Sequence, residues 1–511
     1  MGDKHVGFEL TPSGVTIVYE SGSLHFKSSR DIDPIKLAEQ LGIEAKEALK
    51  LKLKIRDAEV KAPLSLERLT EILGTTVRKD DVNKLIVFLC MLSAYTEDSQ
   101  FNTSFRAPSS TGKSYIPLEI AQYFPPEDVV MIAYSSPTAF FHDSGEWDED
   151  EHAIVVNLER KILIFLDQPH DQLLQRLRPL LSHDRKLLLY KITDKSEKKG
   201  LRTKNVILKG FPSVIFCSGS LRIDEQEQTR NILLSPETSQ EKIREGIILK
   251  AQKKANPIAF QEYLSMHPER EVLRERIREV KNANVKYVIV REYEKVVKGF
   301  LEKHPKLKPR HQRDIERIIS LIQALALLNL WHRERDERGN VYAGDEDIEN
   351  AFKLYDEVGE SQELGVAPYI YSLYVEVIRP LYFEKNNNNN AGNPVGVTRK
   401  EILKRHFEVY GRTLSESFLR KEILPPLENC GLIYQEPDPD DRRRVLVYCT
   451  TPPSNPLFPE NRGQHGGVKV LMVCEECLKQ ANYSSFTKLD KSGICELCGR
   501  FGGLYSVVEQ V

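Results

Sequence analysis

Short runs of apolar residues, each bounded by polar ones, recur between residues 83 and 268. Such runs are typical of strands that are buried on both faces of a parallel sheet. In chain order, strands are predicted at Phe101–Phe105, which is largely polar and lies directly upstream of residues 107–114, and in the apolar runs Val129–Ala133, Ala153–Leu158, Lys161–Leu166 and Phe211–Ser218. A tight turn at Glu159-Arg160 is expected between the third and the fourth strand. Helical spacing of apolar residues from Asn83 and again from Tyr115 completes an alternation that predicts an α/β core.

Residues 186–209 have a different pattern. Two β-like runs, Lys186–Thr193 and Thr203–Lys209, flank a polar segment that contains a glycine, which predicts a long hairpin. From Asp194 to Lys209 the only acidic residues are Asp194 and Glu197. The same segment has six basic residues, Lys195, Lys198, Lys199, Arg202, Lys204 and Lys209. A basic hairpin is suited to gripping a nucleic-acid backbone, but lysine-rich tips also serve solubility. The local sequence favours neither interpretation over the other.

The rest of the chain is predicted to be largely helical. Mixed patterns over residues 243–300 lead to an amphipathic helix at Arg310–Leu328 and a shorter helix at Asp345–Val358, which together predict an all-helical lid. An apolar, tyrosine-rich helix follows, then two more helices and a hairpin that ends at Tyr448. This order predicts a winged helix. The first 82 residues predict short strands in His5–Tyr19 and a helix at Asp33–Leu53, and Glu146–Glu151 is expected to be a solvated acidic loop.

Composition and charge limit the classes of function. A chain of 511 residues exceeds what one core usually organises, and its 40% hydrophobic and 29% charged residues are typical of a soluble globular protein. The formal net charge of −2 excludes a uniformly basic nucleic-acid binder but allows local basic patches. No apolar run approaches the roughly 18 residues of a membrane span, and no signal peptide is recognisable. We therefore expect a cytoplasmic protein with no membrane contact.

The cysteines predict a metal site near the C-terminus. Four of the eight are scattered, and the other four form two C-x-x-C pairs, Cys474 with Cys477 and Cys495 with Cys498. This is the thiolate spacing of a tetrahedral structural Zn²⁺ site, and a tail of about 40 residues can scarcely bury a core without metal. We expect a zinc ribbon over residues 468–511 and a reducing compartment.

The stretch Ala107-Pro-Ser-Ser-Thr-Gly-Lys-Ser114 resembles the phosphate-binding pattern G-x-x-x-x-G-K-[ST], with Ala107 at the first glycine position. In such a loop backbone N–H groups hold the phosphates, Lys113 neutralises the β- and γ-phosphates, and the Ser114 hydroxyl binds Mg²⁺. A serine-rich turn with an incidental lysine is the alternative, and the predicted flanking strand and helix favour the nucleotide site. The expected contacts to ATP and Mg²⁺ are Ala107, Ser109, Ser110, Thr111, Gly112, Lys113, Ser114 and Asp167.

Two later strands end in residues suited to phosphoryl transfer. Asp167 follows Ile162–Leu166, the pattern of a Walker B carboxylate that supports the Mg²⁺ shell. The next residue is Gln168, where ATPases of this kind usually have glutamate, and an amide can orient water without accepting its proton. Asp171, one turn further on, is a second candidate base. Ser218 ends another apolar strand, where it can contact the γ-phosphate or the attacking water.

The turn of the predicted C-terminal hairpin is basic. Its sequence, Asp438-Pro-Asp-Asp-Arg-Arg-Arg444, resembles the wing of MarR-type DNA-binding domains. Arg442, Arg443 and Arg444 are candidates for the minor groove or for phosphates, and Arg412, Arg420 and Lys421 for the side of the recognition helix. Many winged helices contact only proteins, so both kinds of partner stay open.

The order of these parts resembles the AAA+ module of minichromosome-maintenance (MCM) type replicative helicases, including MCM-like helicases of mobile elements. In the predicted lid, Arg313-Asp-Ile-Glu316 is similar to the R-x-[IL]-E pattern that supplies the sensor-2 arginine, here Arg313. The resemblance implies that Ser218 is the sensor-1 residue and that the basic hairpin lines a central pore. It also implies that Arg230 or Arg222 reaches the nucleotide of a neighbouring subunit. Gln168, the variant loop and the C-terminal position of the zinc pattern indicate a divergent relative borne on a mobile element.

The resemblance implies a homo-hexameric, ATP-dependent DNA helicase or translocase in DNA replication. Its partners would be single- or double-stranded DNA and a primase or other replication proteins, at the nucleoid. The alternative is an ATP-switched initiator or transcriptional regulator that binds DNA through the winged helix. The predicted domains are an accessory domain (1–82), an AAA+ P-loop core (83–268), a helical lid (269–360), a winged helix (361–451) and a zinc ribbon (468–511).

Overall fold

The computed structural model describes the following parts of the chain: residues 6–11, 14–19, 22–133, 145–169, 171–183, 185–194, 202–221, 228–387, 394–439, 441, 443–450, 468–474, 486–494 and 501–510. The chain divides into two compact units, Met1–Thr450 and Thr451–Val511. None of the helices in the described ranges is long and apolar enough to cross a membrane.

The first unit begins with a small antiparallel sheet and two helices. They are β1 (Gly7–Thr11), β2 (Gly14–Tyr19), β3 (Gly22–Phe26), α1 (Pro34–Leu41) and α2 (Ala45–Lys61). Val15 and Ile17 of β2 pack against both helices in a separate core. One helix was expected where two are found, because Gly42 ends α1 in the left-handed conformation, at φ 63°, which glycine adopts without steric cost.

Strands and helices alternate in the middle of the first unit. The strands are β4 (Asn102–Arg106), β5 (Val129–Ile132), β6 (Glu146–Asp148), β7 (Ala153–Asn157), β8 (Ile162–Phe165), β9 (Leu187–Asp194), β10 (Arg202–Lys209), β11 (Ser213–Ser218) and β12 (Asn231–Leu234). The helices are α3 (Leu66–Gly74), α4 (Asp81–Ser93), α5 (Tyr115–Ala121) and α6 (Asp171–Leu181). The predicted α/β class is confirmed.

Five strands form a parallel sheet in the order β12-β4-β11-β8-β5. Every residue of β4, β8, β11 and β12 is buried. Burial on both faces explains the continuous apolar runs of β8 and β11, whereas β4 is largely polar. Parallel strands end at the same edge, so the carboxyl ends of β4, β11 and β8 lie side by side.

A second sheet has the order β6-β7-β10-β9 and contains the predicted hairpin, with β9 and β10 antiparallel. The expected turn at Glu159-Arg160 is present, with Arg160 at φ 59°, but β7 and β8 on its two sides belong to different sheets. The acidic segment that was expected to be a loop forms the edge strand β6 in part, because Glu146–Asp148 pairs with β7.

The helical region that follows packs onto the parallel sheet. It contains α7 (Gln240–Ala255), α8 (Pro257–Ser265), α9 (Glu269–Asn282), β13 (Val288–Ile289), α10 (Tyr293–Lys303), α11 (His311–Leu328), β14 (Val341–Tyr342) and α12 (Asp345–Leu364). The expectation of an all-helical lid was wrong in one respect, since β13 and β14 form a parallel pair. One apolar cluster extends from Leu66 to Val358, so the divisions predicted after residues 82 and 268 fall inside a continuous core.

Residues 361–450, which we call the C-terminal module, pack around a second apolar cluster. The elements are α13 (Pro368–Leu373), α14 (Arg379–Asn387), β15 (Val397–Thr398), α15 (Arg399–Tyr410), α16 (Glu416–Phe418), α17 (Leu424–Asn429), β16 (Ile433–Pro437) and β17 (Val445–Cys449). Single π-helical turns join α13 to α14 and α16 to α17. The predicted order of three helical segments and a hairpin is confirmed, and β15 adds a third strand in the order β15-β17-β16.

The second unit contains an antiparallel sheet of three strands in the order β18-β20-β19. Their bounds are β18 (Val468–Cys474), β19 (Phe486–Ile494) and β20 (Phe501–Gln510).

Candidate functional site

The Ala107–Ser114 loop joins the carboxyl end of β4 to α5, which confirms the strand–loop–helix context of the motif. Ser110 at φ 67° and Gly112 at φ 98° have left-handed backbone. Helical hydrogen bonding begins inside the loop, since the N–H of Ile116 donates to the carbonyl oxygen of Gly112 (3.2 Å). The hydroxyl of Thr111 donates to the carbonyl oxygen of Pro108 (2.9 Å) and braces the turn.

The end of β11 lies directly against this loop. The N–H of Ala107 donates to the carbonyl oxygen of Ser218 (3.4 Å), and the thiol of Cys217 donates to the carbonyl oxygen of Lys113 (3.4 Å). The Nζ atom of Lys113 lies 3.9 Å from the point where a Cβ on Gly219 would stand. Ser218 and the Lys113 amine are therefore neighbours, although about one hundred residues separate them in the sequence.

The end of β8 reaches the same level from the other side. Phe165 pairs with β11 two residues before Ser218, so Asp167 comes level with Ser218. Burial raises the pKa of the Cys217 thiol to about 12, and the charge of Lys113 lowers this pKa while the charge of Asp167 raises it. Both charges thus act on one thiol, which lies on the strand between them. Lys113 and Asp167 flank β11 at one end of the sheet.

Gln168 directly follows Asp167, at the position where a second carboxylate would otherwise stand. Its N–H donates to Oδ1 of Asp167 (2.8 Å), which orients the carboxylate. Asp171 begins α6, one turn further on. The described groups at this point can orient water through an amide, but an amide cannot accept its proton.

Arg230 and Arg313 lie at the end of the parallel sheet opposite to the Ala107–Ser114 loop. Arg230 precedes β12, and its Nε donates to the hydroxyl of Ser182 (2.6 Å), while Arg313 donates to the hydroxyl of Thr229. β12 pairs with β4 so that Arg230 is level with Phe101, six residues before Ala107, a distance of roughly 20 Å along a strand. Neither arginine can reach the loop of its own chain. Arg222, the other candidate, lies outside the described residues.

A cavity of about 430 Å³ opens beside the loop, within the size range of small-molecule sites. Ser109–Gly112 form one wall. The other walls come from the segment before α4, from α7 and from the C-terminal module. Sequence patterns indicated only the first of these walls, because residues far apart in the chain form the rest and no local pattern links them.

One side of this cavity carries a network of charges around the buried carboxylate of Asp80. Asp80, in a left-handed conformation at φ 55°, accepts a hydrogen bond from the N–H of Glu237 (2.8 Å), and its own N–H donates to Oε1 of Glu237 (2.9 Å). Lys242 forms an ion pair with Asp80. Burial, and then the charge of Asp80, raises the pKa of Glu237. This network ties the start of α4 to the start of α7.

Arg412 was expected on the recognition-helix side of the winged helix, and that role stays a prediction. Arg412 lines the cavity, together with Tyr369, His406 and Tyr410 of the C-terminal module. Gly411 at φ 64° ends α15, and the chain then turns back toward the loop. Arg420 and Lys421 are exposed and lie elsewhere on the module.

The candidate DNA contacts fall partly outside the described residues. Lys195, Lys198 and Lys199, which were expected near the hairpin tip, are outside them. Arg202 and Lys204 lie on β10, where their backbones are in register with Asp194 and Ile192 of β9. The hairpin confirms the predicted β-structure of this region, and its contact with DNA stays a prediction.

The predicted wing is a turn between β16 and β17 with exposed cations. Arg443 and Arg444 have 91% and 67% of their side chains exposed, and both contact Asp441 (3.0 Å and 3.5 Å). The hydrogen bond from Arg443 lowers the pKa of Asp441. These pairs are solvent-exposed and weak, so phosphate groups can compete for both arginines. Arg442 lies outside the described residues.

The predicted zinc site cannot be traced in the same way. Cys474 is the last residue of β18, and Cys477, Cys495 and Cys498 lie outside the described residues. The zinc ribbon therefore stays a prediction from the cysteine spacing.

Comparison of the chain with models of known protein families gives no match. Comparison with curated protein sequences gives no match either.

Proposed function

We propose that this chain is an ATP-dependent DNA helicase or translocase of the MCM-like AAA+ type that acts in the replication of a mobile element or genome. The observation that carries the proposal is the position of Lys113 and Asp167 on the two sides of Ser218, at the carboxyl end of a parallel sheet. Ligands of open α/β sheets bind at this edge. The adjacent cavity offers space for the rest of a nucleotide.

In this proposal the Ala107–Ser114 loop binds the triphosphate. Lys113 supplies positive charge to the β- and γ-phosphates, and Ser218 contacts the γ-phosphate or the water. The Ser114 hydroxyl and the Asp167 carboxylate are hard oxygen ligands that suit Mg²⁺, which would neutralise phosphate charge when bound. Positioning and charge neutralisation provide most of the catalysis of phosphoryl transfer.

The separation of the arginines supports assembly into a ring. Arg230 and Arg313 lie at the end of the sheet opposite the loop, so they could complete a nucleotide site only in another copy of the chain. In a homo-hexamer each subunit would present these arginines to its neighbour's triphosphate. The β9–β10 hairpin would contact DNA in the centre, and the C-terminal module, as a winged helix, would contact DNA through Arg442, Arg443 and Arg444.

A second candidate is an ATP-switched initiator or transcriptional regulator. Gln168 favours it, because the chain lacks a carboxylate directly after Asp167 to accept the proton of water. Such a protein would bind ATP and DNA without sustained turnover or unwinding.

DNA-stimulated ATP hydrolysis and strand displacement distinguish the two candidates. We expect both activities in the full chain, and we expect replacement of Lys198, Lys199 and Arg202 by alanine to abolish unwinding while ATP binding is retained. A matched control replaces three exposed lysines of α2, Lys46, Lys50 and Lys54, and should unwind normally. Unwinding that survives the hairpin substitutions would contradict the role of the hairpin. ATP binding with negligible turnover on every DNA would favour the regulator.

A further inference from the structure

The C-terminal module forms one wall of the cavity beside the Ala107–Ser114 loop. Tyr369, His406, Tyr410 and Arg412 line the same cavity as Ser109–Gly112. A module whose expected role is DNA contact therefore also belongs to the candidate nucleotide site.

Hydrogen bonds hold the module against this end of the sheet. The N–H of Tyr369 donates to the hydroxyl oxygen of Ser235 (3.0 Å), and this hydroxyl donates to the carbonyl oxygen of Arg106 (2.6 Å), the residue before the loop. At the start of α7, Nε2 of Gln240 donates to the carbonyl oxygen of Tyr410 (2.5 Å). The cavity wall is thus fixed to the strand that carries the loop and to α7.

Arg412 is positioned in this wall through its backbone. Its carbonyl oxygen accepts a hydrogen bond from Nδ1 of His406 (3.0 Å), a buried side chain. Burial lowers the pKa of His406, so the ring stays neutral at pH 7. His406 therefore holds the backbone of Arg412 without adding a charge of its own to the cavity.

The guanidinium of Arg412 differs from two other cations that line the cavity, and like Lys250, which also lines it, it has no charged partner among the described residues. Lys242 pairs with Asp80, and Arg78 donates to Tyr263 (3.0 Å). Within the described ranges Arg412 forms no ion pair, and its side chain makes no hydrogen bond. The charge of Arg412 acts on Tyr369 in the same wall: burial raises the pKa of the Tyr369 hydroxyl, and the charge of Arg412 opposes that rise. The Tyr369 hydroxyl is itself buried with no hydrogen-bond partner among the described residues.

We propose that Arg412 binds a phosphate group of the bound nucleotide and so couples the C-terminal module to nucleotide occupancy. A guanidinium without a carboxylate partner is suited to bidentate pairing with phosphate oxygens. This inference rests on the proposed function, because it assigns the cavity and the loop to one nucleotide. The occupied site then joins the loop on one side to α15 on the other.

Equilibrium binding to the full chain tests the contact. Arg412→Ala should lower the affinity for MgATP and MgADP by about 10- to 100-fold, as expected for the loss of a charge-assisted hydrogen bond. The affinity for adenosine, which has no phosphate, should be unchanged. The affinity of Arg412→Lys for MgATP should lie between those of the unaltered chain and Arg412→Ala, since lysine keeps the charge but lacks the planar guanidinium. Arg420→Ala, an exposed arginine of the same module outside the cavity, is the matched control and should bind like the unaltered chain.

Hydrogen exchange over residues 399–415 provides a second readout that a merely structural role would not change. MgATP should slow exchange there in the unaltered chain and in Arg420→Ala, but not in Arg412→Ala at saturating nucleotide. If Arg412→Ala does not fold, the same affinity and hydrogen-exchange measurements are made on Arg412→Lys. If Arg412→Ala binds MgATP with unchanged affinity and protection, the inference is overturned and the nucleotide site stands. If the unaltered chain binds no MgATP, the proposed function itself is overturned.

Discussion

Gln168 is the residue on which the rate of turnover depends in the proposed mechanism. Its backbone N–H orients the Asp167 carboxylate, but its side-chain amide cannot take a proton. Asp171, at the start of α6, is the next carboxylate along the chain. The chain would then hydrolyse ATP slowly unless another group accepts the proton.

We predict that Gln168→Glu accelerates ATP hydrolysis. A positioned general base contributes typically about 10²- to 10⁴-fold, so kcat should rise by at least about tenfold while KM changes little. Steady-state turnover with saturating single-stranded DNA measures the effect, with Gln168→Ala as the control that adds no base. An unchanged or lower kcat for Gln168→Glu would mean that the residue does not face the attacking water.

Local sequence indicated Lys113 and Asp167 as candidates, because Lys113 belongs to a short loop motif directly before α5 and Asp167 follows the apolar strand β8. It did not indicate the position of Arg412, which lies about three hundred residues from the loop that it faces. Its side chain reaches the cavity only because Gly411 ends α15 and because Tyr369 and Tyr410 are fixed to the core. A contact of this kind depends on packing between distant elements and leaves no periodic signal.

At the scale of elements, Arg276 of α9 joins three parts of the fold. Its Nε donates to the carbonyl oxygen of Leu328 (2.9 Å), and its Nη1 donates to those of Val60 (3.0 Å) and Ala62 (2.6 Å). Nη2 donates to Oδ1 of Asn329 (2.9 Å). Burial lowers the pKa of Arg276 to about 9, so it stays protonated at pH 7. One side chain thus satisfies acceptors from α2, from the segment after it and from the end of α11.

We predict that Arg276→Met destabilises the chain by roughly 2 to 4 kcal/mol, because buried carbonyl groups lose their donors while the apolar volume is kept. Denaturant unfolding of the first unit measures the change. Arg278→Met on the same helix is exposed and should change the free energy of unfolding by no more than about 0.5 kcal/mol. Equal free energies for the two variants would contradict the role of Arg276.

Patterns of apolar residues predicted which segments are strands better than they predicted which strands pair. The apolar runs that form β8 and β11 are buried on both faces, and a continuous apolar run indicates burial on both faces. Sheet membership depends on distant partners, so nothing in the sequence indicated that β7 and β8, on the two sides of one tight turn, belong to different sheets. β13 and β14 have two residues each, too few for any period to appear.

For the whole molecule, the two ends of the parallel sheet carry complementary chemistry. Lys113, Asp167 and the cavity lie at the carboxyl end, and Arg230 and Arg313 lie at the amino end. Within the proposed function this polarity requires a second copy of the chain to complete each site. It also places the C-terminal module on the nucleotide side, where Arg412 can report occupancy.

The most direct test of the central claim is the equilibrium binding of ATP, with Mg²⁺ and with EDTA, to the unaltered chain and to Lys113→Ala, Asp167→Asn and Lys254→Ala. Lys254 is an exposed lysine of α7 and serves as the control. We predict that Lys113→Ala weakens binding at least about tenfold in both conditions, because it removes a charge-assisted contact to phosphate. Asp167→Asn should weaken binding only when Mg²⁺ is present, and Lys254→Ala should have no effect. Absence of ATP binding in the unaltered chain, or equal binding by Lys113→Ala, would contradict the claim.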